Sequence, residues 1–188
     1  MTLLQSDARK LKGGDAAPDF SLKGTDGKTH SLADYGGAKA LLVIFTCNHC
    51  PFAQAKFERT NEIFLKYSRN GMMMAAINPN DAASYPDDSF ENMKKTAKEK
   101  GFKFDYLYDE TQEVAREYGA VCTPDPFLFD SGMRLAYHGR LDDVMTPLEF
   151  WRKPSKFHME EALDAVLAGR KPEKDFLFSQ GCSIKWKE

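Results

Sequence analysis

The sequence predicts an α/β fold in which helices cover both faces of a mixed central sheet. Three observations carry this. Leu41 to Phe45 and Met72 to Ile77 are continuous apolar runs of strand length, the pattern of strands buried on both faces. A mostly amphipathic stretch, with Phe52, Ala55, Phe57, Ile63, Phe64 and Tyr67 as its apolar positions, separates the two runs. A strand, a helix and a strand in that order give a parallel pair with a right-handed crossover. Finally, Asp26-Gly27 and Asp130-Ser131-Gly132 mark hairpin turns on either side of this unit.

Taken in order, Ala17 to Leu22 and Lys28 to Leu32 form the first hairpin, an N-terminal extension. Ser31 is placed to cap a brief helical turn through Tyr35 that Gly36-Gly37 ends. The first helix opens at Pro51, where the missing N–H costs nothing, and closes at Asn70-Gly71. Asn78-Pro79-Asn80-Asp81 breaks the second buried strand. A helix from Asp87 or Asp88 to Lys100 carries acids first and lysines last, and Gly101 stops it. Asp105 to Tyr108 reads as a short extended piece and Thr111 to Tyr118 as a short helix. The second hairpin pairs Pro126 to Phe129 with Met133 to Tyr137, and Arg140 to Lys153 reads as a loop. Ser155 is expected to cap a last helix to Leu167 that Gly169 ends. The tail, 170–188, shows no clear pattern. With 188 residues and no linker or repeat, one domain is expected over 1–188, its core about 13–167.

Composition excludes several classes. Hydrophobic residues at 42% and charged ones at 29% are ordinary for a soluble domain. A net charge of −2 gives no basic footprint for nucleic acid or an anionic membrane. No run reaches the roughly 18 apolar residues of a membrane span, and Met1 to Gly14 lacks a signal-peptide pattern. A cytoplasmic location is therefore expected, as is a monomer or weak homodimer.

The chemistry is in Cys47-Asn48-His49-Cys50-Pro51, directly after the first buried strand. Strand, CxxC and helix in sequence place the first thiol at the positive end of a helix, whose unpaired N–H groups favour a thiolate. With four cysteines, two of them in this motif, the pattern is catalytic rather than a disulfide scaffold. The competing reading of Cys47 and Cys50 is half a metal site. It needs two more ligands, which only His49, Cys122 and Cys182 offer, and neither a second CxxC nor an HxxxH is present. No metal or other cofactor is expected.

Phe45-Thr46-Cys47-Asn48-His49-Cys50 at a strand-to-helix junction resembles the active site of the thioredoxin superfamily. Tyr118-Gly119-Ala120-Val121-Cys122-Thr123-Pro124, leading into Phe127-Leu128-Phe129, is similar to that family's cis-proline loop. Gly13, Asp15 and Ala17-Pro18-Asp19-Phe20 with their hairpin resemble the start of its redoxin branch, the alkyl hydroperoxide reductase and thiol-specific antioxidant type. Within that branch the chain is most similar to peroxiredoxin-like proteins with a thioredoxin-style CxxC. The resemblance spans about 13–167 and implies a thioredoxin fold and a thiol-disulfide oxidoreductase. By the family pattern Cys47 is the nucleophile, Cys50 resolves the mixed disulfide, and His49 tunes the Cys47 thiolate. Pro124 is the cis-proline facing the dithiol, and the Thr123 backbone pairs an incoming peptide as an added strand. Asn48 joins Thr123 and Pro124 in the expected substrate-binding set. Protein or small-molecule disulfides and thiols are the implied partners, with thioredoxin or glutathione as electron donor. The alternative is a thiol peroxidase with antioxidant activity.

Two departures from the pattern stand out. Thioredoxin has a buried carboxylate roughly where Leu41 stands, and Leu41 to Phe45 contains no ionisable group, so no proton acceptor for Cys50 is assigned beyond His49 or water. The threonine that peroxiredoxins carry three residues before the peroxidatic cysteine is replaced by Ile44 before Cys47, or by Cys47 before Cys50. Cys50-Pro51 keeps only an echo of the peroxiredoxin Cys-Pro pair.

Cys122 and Cys182 are additional candidate thiols, each read in the first instance as a small buried hydrophobe. His30, His138 and His158 stand alone and read as surface or satisfied core residues. Arg140 is expected to pair with Asp142 or Asp143, and Asn78 either caps its turn or lines the substrate groove.

Overall fold

From the N-terminus the strands are Leu3–Gln5 (β1), Ser21–Gly24 (β2), Thr29–Ser31 (β3), Ala40–Phe45 (β4), Met72–Asn78 (β5), Asp105–Tyr108 (β6), Cys122–Thr123 (β7), Asp125–Asp130 (β8), Leu135–Gly139 (β9), Phe176–Leu177 (β10) and Gln180–Ser183 (β11). The helices are Pro51–Gln54 (α1), Phe57–Tyr67 (α2), Phe90–Glu99 (α3), Glu113–Tyr118 (α4) and His158–Leu167 (α5). The computed structural model describes residues 2–7, 9–146 and 149–188. Eight strands form one mixed sheet in the order β10-β9-β8-β4-β5-β6-β2-β3, and β1-β11-β7 form a small second sheet.

β4 is the centre. It pairs in parallel with β5 and antiparallel with β8, and all six of its residues are buried. Leu41, Val43 and Phe45 enter one core with Tyr118, Phe127 and Phe129; Ala40, Leu42 and Ile44 enter the other with Ile63, Tyr67 and Leu163. Alternate side chains of a strand point to opposite faces, so an unbroken apolar run is what two covered faces require. The parallel β4-α-β5 unit and both hairpins are as the sequence predicts. β2 also pairs with β6, which makes the N-terminal hairpin the far edge of the main sheet.

Several local expectations differ. The helix expected to run on from Pro51 is broken at Lys56, whose N–H bonds to Ala53 three residues back. The Lys56 ammonium reaches the buried Asp142 carboxylate at 2.5 Å, and α2 starts afresh at Phe57. Arg140 therefore pairs with neither expected partner: Asp142 holds Lys56 and Asp143 holds Arg152, while Arg140 meets Met145 and lies over Phe178. Ser155 does not cap the last helix, because its hydroxyl donates to Asp143 and α5 begins at His158. Of the expected loop at 140–153, residues 147 and 148 lie outside the described residues. Among the histidines, His138 is a buried partner of Asp125 and stacks on Phe127, and His30 meets Asp26 at the surface.

The patternless tail folds as strands. β10 lies parallel to β9 at Gly139, where a Cβ would sit 1.9 Å from the Leu177 carbonyl oxygen. β11 inserts between β1 and β7, and Ile184 and Trp186 pack on the first core. Short two- to four-residue strands with no alternation leave no periodic signal to read. No described helix is long and apolar enough to cross a membrane.

Candidate active site

Three elements converge on the dithiol. β4 ends at Phe45, so Cys47 and Cys50 sit beyond the carboxyl end of the central strand, and Pro51 opens α1 directly after Cys50. From the other side comes β7 with the peptide Thr123–Pro124, which is cis. Thr123 touches both sulfurs: its hydroxyl is 3.2 Å from the Cys47 Sγ, and its carbonyl oxygen is 3.3 Å from the Cys50 Sγ. Pro124 lines a shallow groove with Phe52, Lys56, Leu141 and Phe150.

Both active thiols are wholly buried, at 0% exposure. Their environments push them in opposite directions. Cys50 is lowered, chiefly because the Cys47 thiol donates to it, against the cost of burial, with further help from the Cys182 thiol and the backbone N–H groups of Ala53 and Cys182. Cys47 is raised by burial first, then by that same hydrogen bond to Cys50 and by the nearby negative charge of Asp88.

His49 faces a partner that sequence reasoning missed. Asp88 was read as a helix-opening acid; it is fully buried in the turn before α3. Its carboxylate accepts from the Asn48 backbone N–H at 2.6 Å, from Asn80 Nδ2 at 2.7 Å, and lies 2.5 Å from His49 Nδ1. This hydrogen bond raises the His49 pKa, against the opposing effect of partial burial. The imidazole also stacks on Tyr85. Asp88 is a buried carboxylate beside the motif, supplied from the loop after β5. Asn78, at the end of that strand, donates to the Asp88 carbonyl and so fixes the loop.

The other expected site residues fall on both sides of the prediction. Asn48 has its side chain engaged by the Asp87 carbonyl and the buried Tyr106 hydroxyl, so it braces the motif from within instead of facing a substrate. The Thr123 edge, expected to receive an incoming peptide, is already paired: β11 lies along it with Cys182 opposite Thr123. Cys182 joins Cys47, Cys50, Ala53 and Phe57 in one buried cluster, and Cys122, also buried, has its sulfur 3.9 Å from the Pro124 carbonyl oxygen. As a possible metal-binding group, one ligand atom each from Cys47, His49 and Asp88 lies within 4.8 Å of the others. In the structure, however, Asp88 is already the hydrogen-bond partner of His49.

Known proteins place this arrangement. The crystal structure of an uncharacterized conserved protein from Geobacillus kaustophilus superposes with a TM-score of 0.93 and 42% identity, over 100% of this chain and 97% of that one. That of a putative thiol:disulfide interchange protein DsbE from Chlorobium tepidum gives 0.60 and 26%, over 69% of this chain and 85% of that one. In sequence, the thiol-disulfide oxidoreductase ResA of Geobacillus thermodenitrificans is 29% identical over 133 residues, 71% of this chain and 68% of its own length. The fold is that of thioredoxin. The AhpC/TSA family model matches residues 13–138, and the chain belongs to that family.

Proposed function

We propose that this protein is a thiol-disulfide oxidoreductase that cycles Cys47 and Cys50 between dithiol and disulfide. The observation that carries the reading is the convergence of both sulfurs on Thr123, the residue before the cis-proline. It supplies both halves of an exchange. As the Cys47 sulfur bonds to one sulfur of a substrate disulfide it gives up its proton, and the other substrate sulfur takes a proton and leaves as a thiol. Cys50 then gives up its own proton and attacks Cys47, closing the intramolecular disulfide, and the second substrate sulfur leaves with a proton as a thiol. Asp88 is a positioning residue that holds His49 beside the pair, where the imidazolium favours negative charge on sulfur.

The test is a disulfide reductase assay with trapping. Cys47→Ser is expected to lose all turnover, and Cys50→Ser to accumulate mixed disulfides with substrate. Turnover of Cys47→Ser equal to the parent's would end the assignment. Hydrogen peroxide, followed by stopped flow, is expected to oxidise the reduced protein no faster than free cysteine, because Cys47 is buried and its thiol form is favoured. A rate well above that would favour a peroxidase instead.

A further inference from the structure

We propose that Cys182 is a third redox thiol of this site, carried on β11 as a built-in substrate strand, and that it exchanges with the Cys47–Cys50 disulfide. The inference rests on the dithiol reading and extends it. β11 occupies the backbone edge at which an extended peptide would add to the sheet, with Cys182 in register opposite Thr123, the residue before the cis-proline. Burial alone asks only for a small apolar side chain; it does not ask for this register. Gly181 permits the approach, since a Cβ there would stand 2.0 Å from the Thr123 carbonyl oxygen. The strand is fastened beyond the site as well. The Lys185 N–H donates to Asn80 Oδ1 at 2.9 Å, the Lys185 carbonyl accepts from Gln112 Nε2 at 2.7 Å, and the Lys187 N–H donates to Gln112 Oε1 at 2.7 Å. At the sulfurs, Cys182 shares one buried cluster with Cys47 and Cys50.

The chemistry balances without any added oxidant. Starting from the Cys47–Cys50 disulfide, the Cys182 sulfur attacks the Cys50 sulfur. The Cys50–Cys182 bond forms as the Cys47–Cys50 bond breaks, and the Cys182 proton ends on the departing Cys47. One disulfide and one thiol remain, now with Cys47 reduced and the tail strand covalently tied to the start of α1.

Trypsin separates the relevant cysteines: Cys47 and Cys50 on residues 40–56, Cys122 on 117–134 and Cys182 on 175–185. The full chain is oxidised with one equivalent of diamide, quenched in acid, alkylated, digested and mapped by mass spectrometry. The parent is expected to show both a disulfide within 40–56 and a link between 40–56 and 175–185. In Cys47→Ser that link becomes the main product, necessarily through Cys50, and it is lost in Cys47→Ser/Cys182→Ser. Absence of the link in the parent, or its replacement by one to 117–134, overturns the proposal. The parent reports the link with no substitution, so a poorly folded variant does not decide the outcome. The two readings also fail separately: a parent with no disulfide within 40–56 removes the dithiol function, whereas loss of the 175–185 link alone removes only the role of Cys182.

Discussion

Asp88 has no solvent exposure, yet it accepts from a backbone N–H, an amide and an imidazole at once. A buried carboxylate held this way meets fixed donors in place of water, and its hydrogen bond to His49 is what chiefly raises that imidazole. Asp88→Asn is expected to bring the His49 pKa down from above its usual value of 6.5. Imidazole chemical shifts followed against pH would read the change, and an unchanged titration would mean that Asp88 is not the cause. The stability consequence has a definite sign. A histidine raised on folding contributes fully below about pH 6.5 and loses that contribution as the pH rises through the raised value. The parent is therefore expected to lose stability over that window relative to His49→Gln, as followed by urea midpoints across pH. Cys47, His49, Cys50, Thr123 and Pro124 were legible because their chemistry lies in two short local patterns. Asp88 was not, since Asp87-Asp88-Ser89 reads equally well as a helix start and only the path of the loop turns the second acid inward.

At the scale of elements, β4 could be read from its apolar run alone, because burial on both faces leaves no other pattern open to it. The α1–α2 break could not. It is joined to a pairing between Lys56 and Asp142 that spans most of a hundred residues of chain. β11 was equally hidden, since a four-residue strand paired through backbone groups needs no particular side chains. Its closeness to β7 yields a prediction. Gly181→Ala forces a Cβ against the Thr123 carbonyl, so β11 must draw back from the edge. Alkylation of Cys47 and Cys50 by iodoacetamide is expected to speed up at least severalfold over the parent, in which neither sulfur is exposed. Equal rates would show that β11 does not control access to the dithiol.

For the molecule as a whole, the tail belongs to the core. Ile184 is 2% exposed within the same cluster as Leu41, Val43 and Phe45, and its N–H bonds to the Val121 carbonyl. Ile184→Ala is expected to cost about 2–5 kcal/mol of global stability, measured as a shifted midpoint in a single cooperative urea transition. A separate early transition for the tail would contradict this. The order of synthesis gives the same feature another meaning. A domain folds as a unit, and β11 emerges from the ribosome after Cys47, Cys50 and the Thr123 edge. Until then the nascent chain presents an open dithiol beside an unpaired strand edge. Before β11 docks, an oxidant meets these sulfurs without having to displace the strand that pairs with β7 in the folded protein.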